Sequence, residues 1–429
     1  MSHRGPLCKL MQQSPTPTIT HSDVLVIGGG PAGMMAALIA AERGRSVRLL
    51  EKNPRVGEKL SITGGGRCNI SNDEPDVRKL LSHYGNAEDF LYAAFARFGQ
   101  KETVEFFTSR GLPLVTQARQ RMFPASERAY DVTAFFGREM QKAGVHVEHR
   151  AAVSKLEIEN GRIKEVITLD GRRWSADSVI LATGGVSRPE TGSSGEGFDW
   201  LRELGHTVKS PNPSIVPLRS SAAWIPPLSG VSLSFMKISF FSNGKRAFTK
   251  LGKLLFTHFG ISGPLILNSA YQVGELLEAG PVTAQIDLYP DTEFDALDRR
   301  VMAAFDANKN KDFKNILPDL VPAGMSDTML LLSKIAPETK VHSVRAEERR
   351  LLIHLLKELP LEIEGLMGMD RAVVSDGGVS LEEVDTRTFN SKKISNLYLV
   401  GDTLNINRPS GGYSLQLCWT SGFIAGSNA

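Results

Sequence analysis

Residues 23–27 form a short, mostly apolar, β-branched run, the pattern of a strand buried in a parallel sheet. Residues 31–43 follow as an Ala- and Met-rich helix closed by Gly44, and 46–50 return to strand and stop at Glu51. Together they make a β-α-β unit of about 30 residues. A glycine-dense loop is expected over 57–72, then helices over 89–97, 101–110 and 132–143. From 145 the period becomes two. Segments 145–149, 153–159, 163–169 and 173–177 alternate, and Asn160-Gly161 and Asp170-Gly171 are two-residue hairpin signals. A small β-meander is therefore expected, after which 178–181 restores a buried strand ending in Ala182-Thr183-Gly184-Gly185.

Further on, 211–290 is rich in Pro, Ser and strand formers, with strands expected over 235–241 and 282–288. Leu297, Val301 and Phe305, then Met325, Met329 and Leu332, recur at helical spacing and read as core positions of a helical insertion. Residues 343–359 form another amphipathic helix. From 373 the chain returns to its first domain, with a strand over 397–400 and a helix over 415–425. The division expected is a flexible tail over 1–22, one α/β domain over 23–210 and 365–429, a β domain over 211–290 and 337–364, and the insertion over 291–336.

Composition narrows the function classes. Of 429 residues, 41% are hydrophobic and 23% charged, as in an ordinary soluble protein. The formal charge of +3 is too balanced for a nucleic-acid-binding signature. Three scattered cysteines, Cys8, Cys68 and Cys418, build no disulfide framework and fit a reducing cytoplasm. The 18 uncharged residues over 24–41 reach the length of a membrane span, but Gly28, Gly29, Gly30 and Pro31 break them. The first 22 residues, with Arg4, Lys9, Pro15 and Pro17, make a poor signal peptide, and Met11 is an alternative start. No membrane or nucleic-acid partner is expected.

The strongest chemical unit is Gly28-Gly29-Gly30-Pro31-Ala32-Gly33, a G-x-G-x-x-G that follows a strand and opens a helix. Gly28 serves the tight turn, Gly30 the approach of a pyrophosphate, and Gly33 the packing of helix on sheet. Phosphates belong at the helix N-terminus, where free N–H groups and the dipole favour anions. Glu51, 18 residues past Gly33, is placed to accept ribose hydroxyls. Nicotinamide and flavin dinucleotides share this fingerprint. The meander leading to Ala182-Thr183-Gly184, and the C-terminal Gly401-Asp402, favour FAD. Asp402 is expected at the ribityl or pyrophosphate part, and Gly411-Gly412 is expected to aim backbone N–H groups of the last helix at the flavin ring.

Several longer motifs carry a resemblance. They are Gly57-Glu58-Lys59-Leu60-Ser61-Ile62-Thr63-Gly64-Gly65-Gly66-Arg67-Cys68-Asn69-Ile70-Ser71-Asn72, Phe123-Pro124-Ala125-Ser126 and Thr191-Gly192-Ser193-Ser194-Gly195-Glu196-Gly197. Leu255-Phe256-Thr257-His258-Phe259-Gly260-Ile261-Ser262-Gly263-Pro264 and Gly411-Gly412-Tyr413-Ser414-Leu415-Gln416 complete the set. In these the chain resembles the bacterial FAD-dependent family that includes aminoacetone oxidase and the bile-acid 3-dehydro-Δ4,6-reductase flavoproteins. The resemblance covers 23–426. It implies an α/β fold in which a Rossmann-like, glutathione-reductase-type FAD domain is interrupted by a β-barrel-like domain carrying a helical insertion. The family usually has Gly-Glu where this chain has Gly401-Asp402, and Asn where it has Ser414.

The FAD contacts expected from fingerprint and resemblance together are Gly28, Gly30, Pro31, Ala32, Gly33, Glu51, Lys52, Lys59, Ser61, Thr63, Gly64, Gly65, Gly66, Arg67, Cys68, Asn69, Val153, Ala182, Thr183, Gly184, Gly401, Asp402, Gly412, Tyr413, Ser414 and Leu415. Three consecutive glycines expose N–H groups, while Arg67, Asn69 and Asn72 act as fixed donors. Cys68 has no C-x-x-C partner, so it and Cys418 read as small packed side chains and the flavin as non-covalently held. His258 reads as a structural histidine. His146 and His149, three apart on a strand, point to opposite faces and are poor metal ligands, so no metal is expected. Gly192, Gly195 and Gly197 read as a turn opening a helix over 198–204.

The function expected is an FAD-dependent oxidoreductase acting on a small molecule beneath the β domain, with NADH, NADPH or the substrate itself as reductant. The catalytic residues, the substrate and the redox direction stay open. The alternatives are a non-catalytic flavin-binding sensor or electron relay, and an RNA-modifying flavoprotein.

Overall fold

The computed structural model describes residues 19–368, 370–372 and 374–429. The part of the expected tail over 1–18, with Cys8 and Met11, lies outside them. The first strand begins at Ile19, inside that tail, because Ile19–Ser22 pair with Arg173–Ala176.

The first strand, Ile19–Ile27, lies between two parallel neighbours, Val47–Glu51 and Arg173–Leu181. Its Val24, Leu25 and Val26 are fully buried, as the unbroken apolar run requires. His146–His149 extends the sheet beyond Val47–Glu51, again in parallel. It therefore belongs to the parallel sheet and not to the meander in which its alternation put it. The meander is Val153–Glu159 and Arg162–Thr168, antiparallel to each other and to the start of Arg173–Leu181. That last strand is continuous where two were expected. Its first part carries the meander, and Val179–Leu181 carries the parallel strand Leu397–Leu399.

Helix Pro31–Glu42 packs directly on the C-terminal helix Tyr413–Asn428. Side chains at Gly422 and Gly426 would come within 2.4 Å of the carbonyl oxygens of Ala32 and Ala36, so close approach selects glycine there. Phe107, Phe135, Phe136 and Trp419 fill the space behind this pair. The expected helices appear as Glu88–Arg97, Gln100–Ser109 and Ala129–Lys142. Between the last two lies a small antiparallel sheet that the sequence pattern did not reveal: Leu114–Gln117, Arg121–Pro124 and Ser71–Asn72.

The second sheet has seven strands in the order Leu359–Ile363, Val282–Asp287, Ser232–Ser242, Lys245–Thr257, Gly260–Ser262, Leu218–Arg219 and Gly365–Leu366. Its two edge strands are consecutive in the chain, separated only by Glu364, so the sheet curls around in a barrel-like way. Gly365–Leu366 still belongs to this sheet, although the chain was expected to have left it by 365. Helices Phe294–Ala307, Phe313–Leu320 and Ser326–Ser333 lie between two of its strands, with Leu297, Val301, Phe313, Met325 and Met329 buried against it. The antiparallel pair Val208–Pro213 and Ser375–Val379 joins the two halves of the molecule. Among the described residues no helix is long and apolar enough to cross a membrane.

Candidate flavin site

A cavity of about 790 Å³ runs along the C-terminal ends of the parallel strands, the usual place for a ligand in an open α/β sheet. Glu51, Lys52, Ala152, Val153 and Leu169 line one end. Gly28 to Ala32 line the middle together with Ala182, Thr183 and Gly184. The far end is lined by Thr63, Gly64, Gly65, Arg67, Asn69, Asn72, Phe123 and the segment from Pro409 to Leu415. Ile215, Pro264, Leu267 and Asn268 of the second domain lie along the same cavity.

The glycine fingerprint divides its work as steric space dictates. Gly28 has φ +106°, and a side chain there would lie 2.5 Å from the Ala182 carbonyl oxygen. At Gly33 a side chain would meet the Gly28 carbonyl oxygen at 1.9 Å, so this position closes helix on strand. Around Gly30 the space is open. Gly30 caps helix Pro31–Glu42, which has neither a capping side chain nor an acidic residue in its first turn. An anion is the partner that such a helix end accepts.

Glu51 is buried, and both of its oxygens face backbone donors. Gly29 N–H donates to one at 2.8 Å and Asn53 N–H to the other at 2.7 Å. Burial raises its pKa against these two hydrogen bonds. Glu51 thus fixes the fingerprint loop while lining the cavity. Beside it, Lys52 is bound to Glu196 at 3.0 Å and to Ser194, while Asn53 donates to the Thr191 carbonyl at 3.0 Å. The Gly192 to Gly197 turn opens helix Glu196–Glu203 and also walls this end of the cavity.

The segment expected as a loop over 57–72 begins as a helix, Glu58–Gly66, which breaks where Thr63 extends and Gly64 and Gly65 turn left-handed. Lys59 enters the cavity wall from this helix with Ser187 Oγ at 3.3 Å. Burial lowers its pKa, and Asp402 works in the opposite direction. Four expected contacts do not line the cavity: Gly33, which closes helix on strand, and three in the Thr63 segment or beside it. The Ser61 hydroxyl donates to the Glu58 carbonyl, Gly66 ends the helix, and Cys68 is fully buried, its thiol pushed up to about 12 by burial. Cys418 does line the cavity, with its thiol likewise pushed up to about 12 by burial.

At the far end the expected donors are engaged within the protein. The Asn69 amide nitrogen faces the carbonyls of Met122 and Ser71, and its oxygen accepts from Gly412 N–H at 2.9 Å. The Gly412 N–H therefore does not point at a ring, which corrects the expectation for Gly411-Gly412. Gly412 has φ +104°, and a side chain there would lie 2.2 Å from the Ser71 carbonyl carbon. It is glycine because the last helix docks on Ser71-Asn72. Gln416 accepts from Ser71 Oγ at 2.6 Å, and Trp419 donates to the Ile70 carbonyl at 3.0 Å. The Asn72 nitrogen donates to the carbonyls of Arg119 and Gly411.

The most consequential residue that the sequence pattern did not single out is Arg408. It is buried, bonded to Asp402, to the Ile406 carbonyl at 2.7 Å and to Ser414 Oγ at 3.2 Å. Burial opposes its charge, but Asp402 holds its pKa above the usual arginine value. Its neighbours Asn405, Asn407, Pro409, Ser410 and Gly411 are polar or turn-forming and gave no signal of burial. His83, Arg119 and Arg121 line the cavity, while Arg408 stands behind the lining residues Asp402 and Ser414, and isolated side chains of this kind leave no periodic trace. His258 is exposed at a strand turn outside the cavity lining. Among the described residues one trio, His21, Asp23 and Asp177, is close enough to share a metal ion; it does not line the cavity.

FAD fits this lining by three features independent of one another. The uncapped helix end faces open space at Gly30. Thr183 Oγ1 is buried without a hydrogen-bond partner, and so is Asn72 Oδ1 towards the far end. The cavity continues between them. The class these features define is a Rossmann-type flavoprotein.

Residues 22–428 match the family described as "HI0933-like protein Rossmann domain", and the chain belongs to that family. It is 30% identical over 408 residues to the 3-dehydro-bile acid delta(4,6)-reductase of Clostridium scindens, covering 94% of this chain and 98% of that one. It is 28% identical over 411 residues to the ribosomal RNA dihydrouridine synthase of Haemophilus influenzae, covering 94% and 97%. In fold it is similar to 3-ketosteroid-delta4-(5alpha)-dehydrogenase from Rhodococcus jostii RHA1. There the TM-score is 0.51 at 14% identity, over 97% of this chain and 98% of that one. The cofactor is FAD and the chain is an FAD-dependent oxidoreductase.

Proposed function

We propose that the chain is a reductase that saturates a carbonyl-conjugated double bond in a small molecule, recharged by NADH or NADPH. FAD supplies the hydride chemistry. The observation that carries this reading is the reach of the cavity beyond the nucleotide fingerprint, to an end bordered by Phe123, Tyr413, Pro264 and Leu267. Apolar and aromatic walls with a few polar groups suit a flat organic substrate. Adding a hydride to one carbon of such a bond requires a proton on the other. Tyr413 lines this end and carries a phenol proton at neutral pH, which makes it the candidate donor; burial raises its pKa, so the proton leaves only as negative charge develops on the substrate. His83 packs against the same ring at 4.4 Å between centroids, and burial lowers its pKa, so the imidazole favours its neutral form. The name of the 30% identical relative, a delta(4,6)-reductase, supports the same direction.

The test is anaerobic mixing of the FAD-loaded protein with NADH and with NADPH, followed by a 3-oxo-4,6-diene bile acid. Bleaching of the flavin by one nucleotide, and return of the colour on adding the dienone, is the expected result. A flavin that neither nucleotide reduces, but that a saturated substrate does reduce, would reverse the direction. A second reading, reduction of a uracil ring in ribosomal RNA, has the support of the 28% identical relative. Dihydrouridine content of ribosomal RNA after incubation with the reduced protein distinguishes the two.

A further inference from the structure

The far end of the cavity carries a concentration of positive charge, of which only Arg67 was expected to serve the cofactor. Arg67, Arg119 and Arg121 all line it. Two of them share one aromatic support: the Arg67 guanidinium lies 4.6 Å from the centroid of Phe123, and that of Arg121 lies 5.8 Å from it. Arg67 is partly neutralised by Glu127 at 3.2 Å. Among the described residues no carboxylate lies within ion-pair distance of Arg119 or Arg121. Burial and then the charges of Arg67 and Arg119 lower the pKa of Arg121, which is the signature of like charges held together without a counterion.

The backbone that holds them is also unusual. Ala118, Arg119 and Gln120 connect the strands Leu114–Gln117 and Arg121–Pro124, and the last two have positive φ, +63° and +55°. A hairpin turn with two left-handed residues ordinarily uses Asn-Gly or Gly-Gly. Arginine and glutamine in those positions cost of order 1 kcal/mol or more each, strain of the kind found at ligand clamps. The turn is pinned from the cavity side, because its Arg119 carbonyl accepts from the Asn72 amide at 3.3 Å. This end is distinct from the one lined by Glu51, the acidic residue of the nucleotide fingerprint.

We infer that Arg119 and Arg121, with Arg67, form an oxyanion subsite that binds a carboxylate or phosphate group of the substrate and so fixes its reducible part in the cavity. The inference deepens the reductase reading and rests on it, since it assumes that substrate occupies this end. Guanidiniums stacked on an aromatic ring keep their forks in a fixed plane, which suits bidentate recognition of a planar or tetrahedral oxyanion. A neutral substrate of the same shape would forgo this pairing and leave both cations to solvent. The subsite therefore sets specificity by charge as well as by shape.

The test uses FAD-replete protein and three probes of similar shape: benzoate, phenyl phosphate and neutral benzamide, with binding measured by titration calorimetry. Either anion is expected to bind on the order of tenfold or more tightly than benzamide, with an affinity that falls as salt rises. Whichever anion binds more tightly identifies the group as carboxylate or phosphate. The Arg119→Gln/Arg121→Gln double variant is expected to lose that preference while retaining its FAD. Lysine at the same two positions is expected to restore part of it. Equal binding of anions and benzamide by the wild type, no binding of either anion, or an unchanged preference in the glutamine variant would overturn the inference. A protein that takes up no FAD would instead sink the functional reading.

Discussion

Replacing Arg408 by leucine tests the electrostatic arrangement of the cavity wall most directly. The wild-type side chain is 3% exposed and uses its guanidinium on three groups: Asp402, the Ile406 carbonyl and Ser414 Oγ. Leucine fills most of the volume but leaves the Asp402 carboxylate, itself largely buried, without its cation. Breaking a buried pair from one side typically costs about 3–5 kcal/mol, because the remaining charge is stranded. Lys59 is close enough for Asp402 to raise its proton affinity, so it takes over part of the compensation. The lower end, about 3 kcal/mol, is therefore expected. Removing both charges with Arg408→Leu/Asp402→Asn should cost less than the single change, about 1–2 kcal/mol, since nothing is then left stranded. The coupling is read from urea unfolding of FAD-free wild type, both single variants and the double variant, followed by tryptophan fluorescence. A double variant as destabilised as Arg408→Leu would refute the reasoning, for it would mean that Asp402 gains nothing from its partner.

Two glycines that look alike in sequence should respond in opposite ways. Gly412→Ala places a methyl group 2.2 Å from the Ser71 backbone at φ +104°, so it should lower the melting temperature of the FAD-free protein sharply, by about 4 kcal/mol in stability. Gly30→Ala meets no protein atom, so the FAD-free protein should melt within about 0.5 kcal/mol of wild type while FAD affinity falls; equal melting shifts for the two would contradict this assignment. Stability should also depend on pH through Glu383. Burial works against its charge, but Lys393, Thr207 and His206 bond to it and hold its pKa at about 2. A carboxylate with a lowered folded pKa contributes stability above its unfolded value, near 4.5, and loses it as pH falls towards 2. Glu383→Gln should flatten that acid limb of the stability curve, and an unchanged limb would exclude Glu383 as its source.

Much of the cofactor half was legible because its signals are local. The β-branched run at 24–27, the G-x-G-x-x-G and the acidic residue after the next strand each depend on a few neighbouring residues, and they fold where expected. Helical periodicity located the insertion for the same reason: Leu297, Val301, Met325 and Met329 face one core. Strand partners were less accessible. His146–His149 alternates like a meander strand, yet alternation does not say which neighbour a strand pairs with, and a parallel partner claimed it. The strands of the small sheet, two to four residues long, are too short to establish any period.

Gly412 shows why a correctly located motif can still yield the wrong contact. Two glycines before a helix imply free N–H groups, and free N–H groups at a flavin site imply a ligand. The first implication fails in this fold. Asn69, which the motif also offered as a ligand donor, turns its oxygen to the Gly412 N–H and its nitrogen to the carbonyls of Met122 and Ser71. Two supposed ligand donors thereby satisfy groups of the protein and fasten the last helix to the Ser71–Asn72 strand, although both residues still line the cavity. Hydrogen-bond capacity is a property of residue type and can be read from sequence, but its consumption is a property of the folded chain. What escapes consumption is therefore the better guide to ligands. In this cavity the escapees are the open space at Gly30, the unpartnered oxygens of Thr183 and Asn72, and the uncompensated guanidiniums of Arg119 and Arg121. The open space at Gly30 and the Thr183 oxygen lie at the nucleotide fingerprint, while the Asn72 oxygen lies at the far end beside Arg119. The guanidiniums line that far end too, and the proposed subsite assigns them to an oxyanion of the substrate.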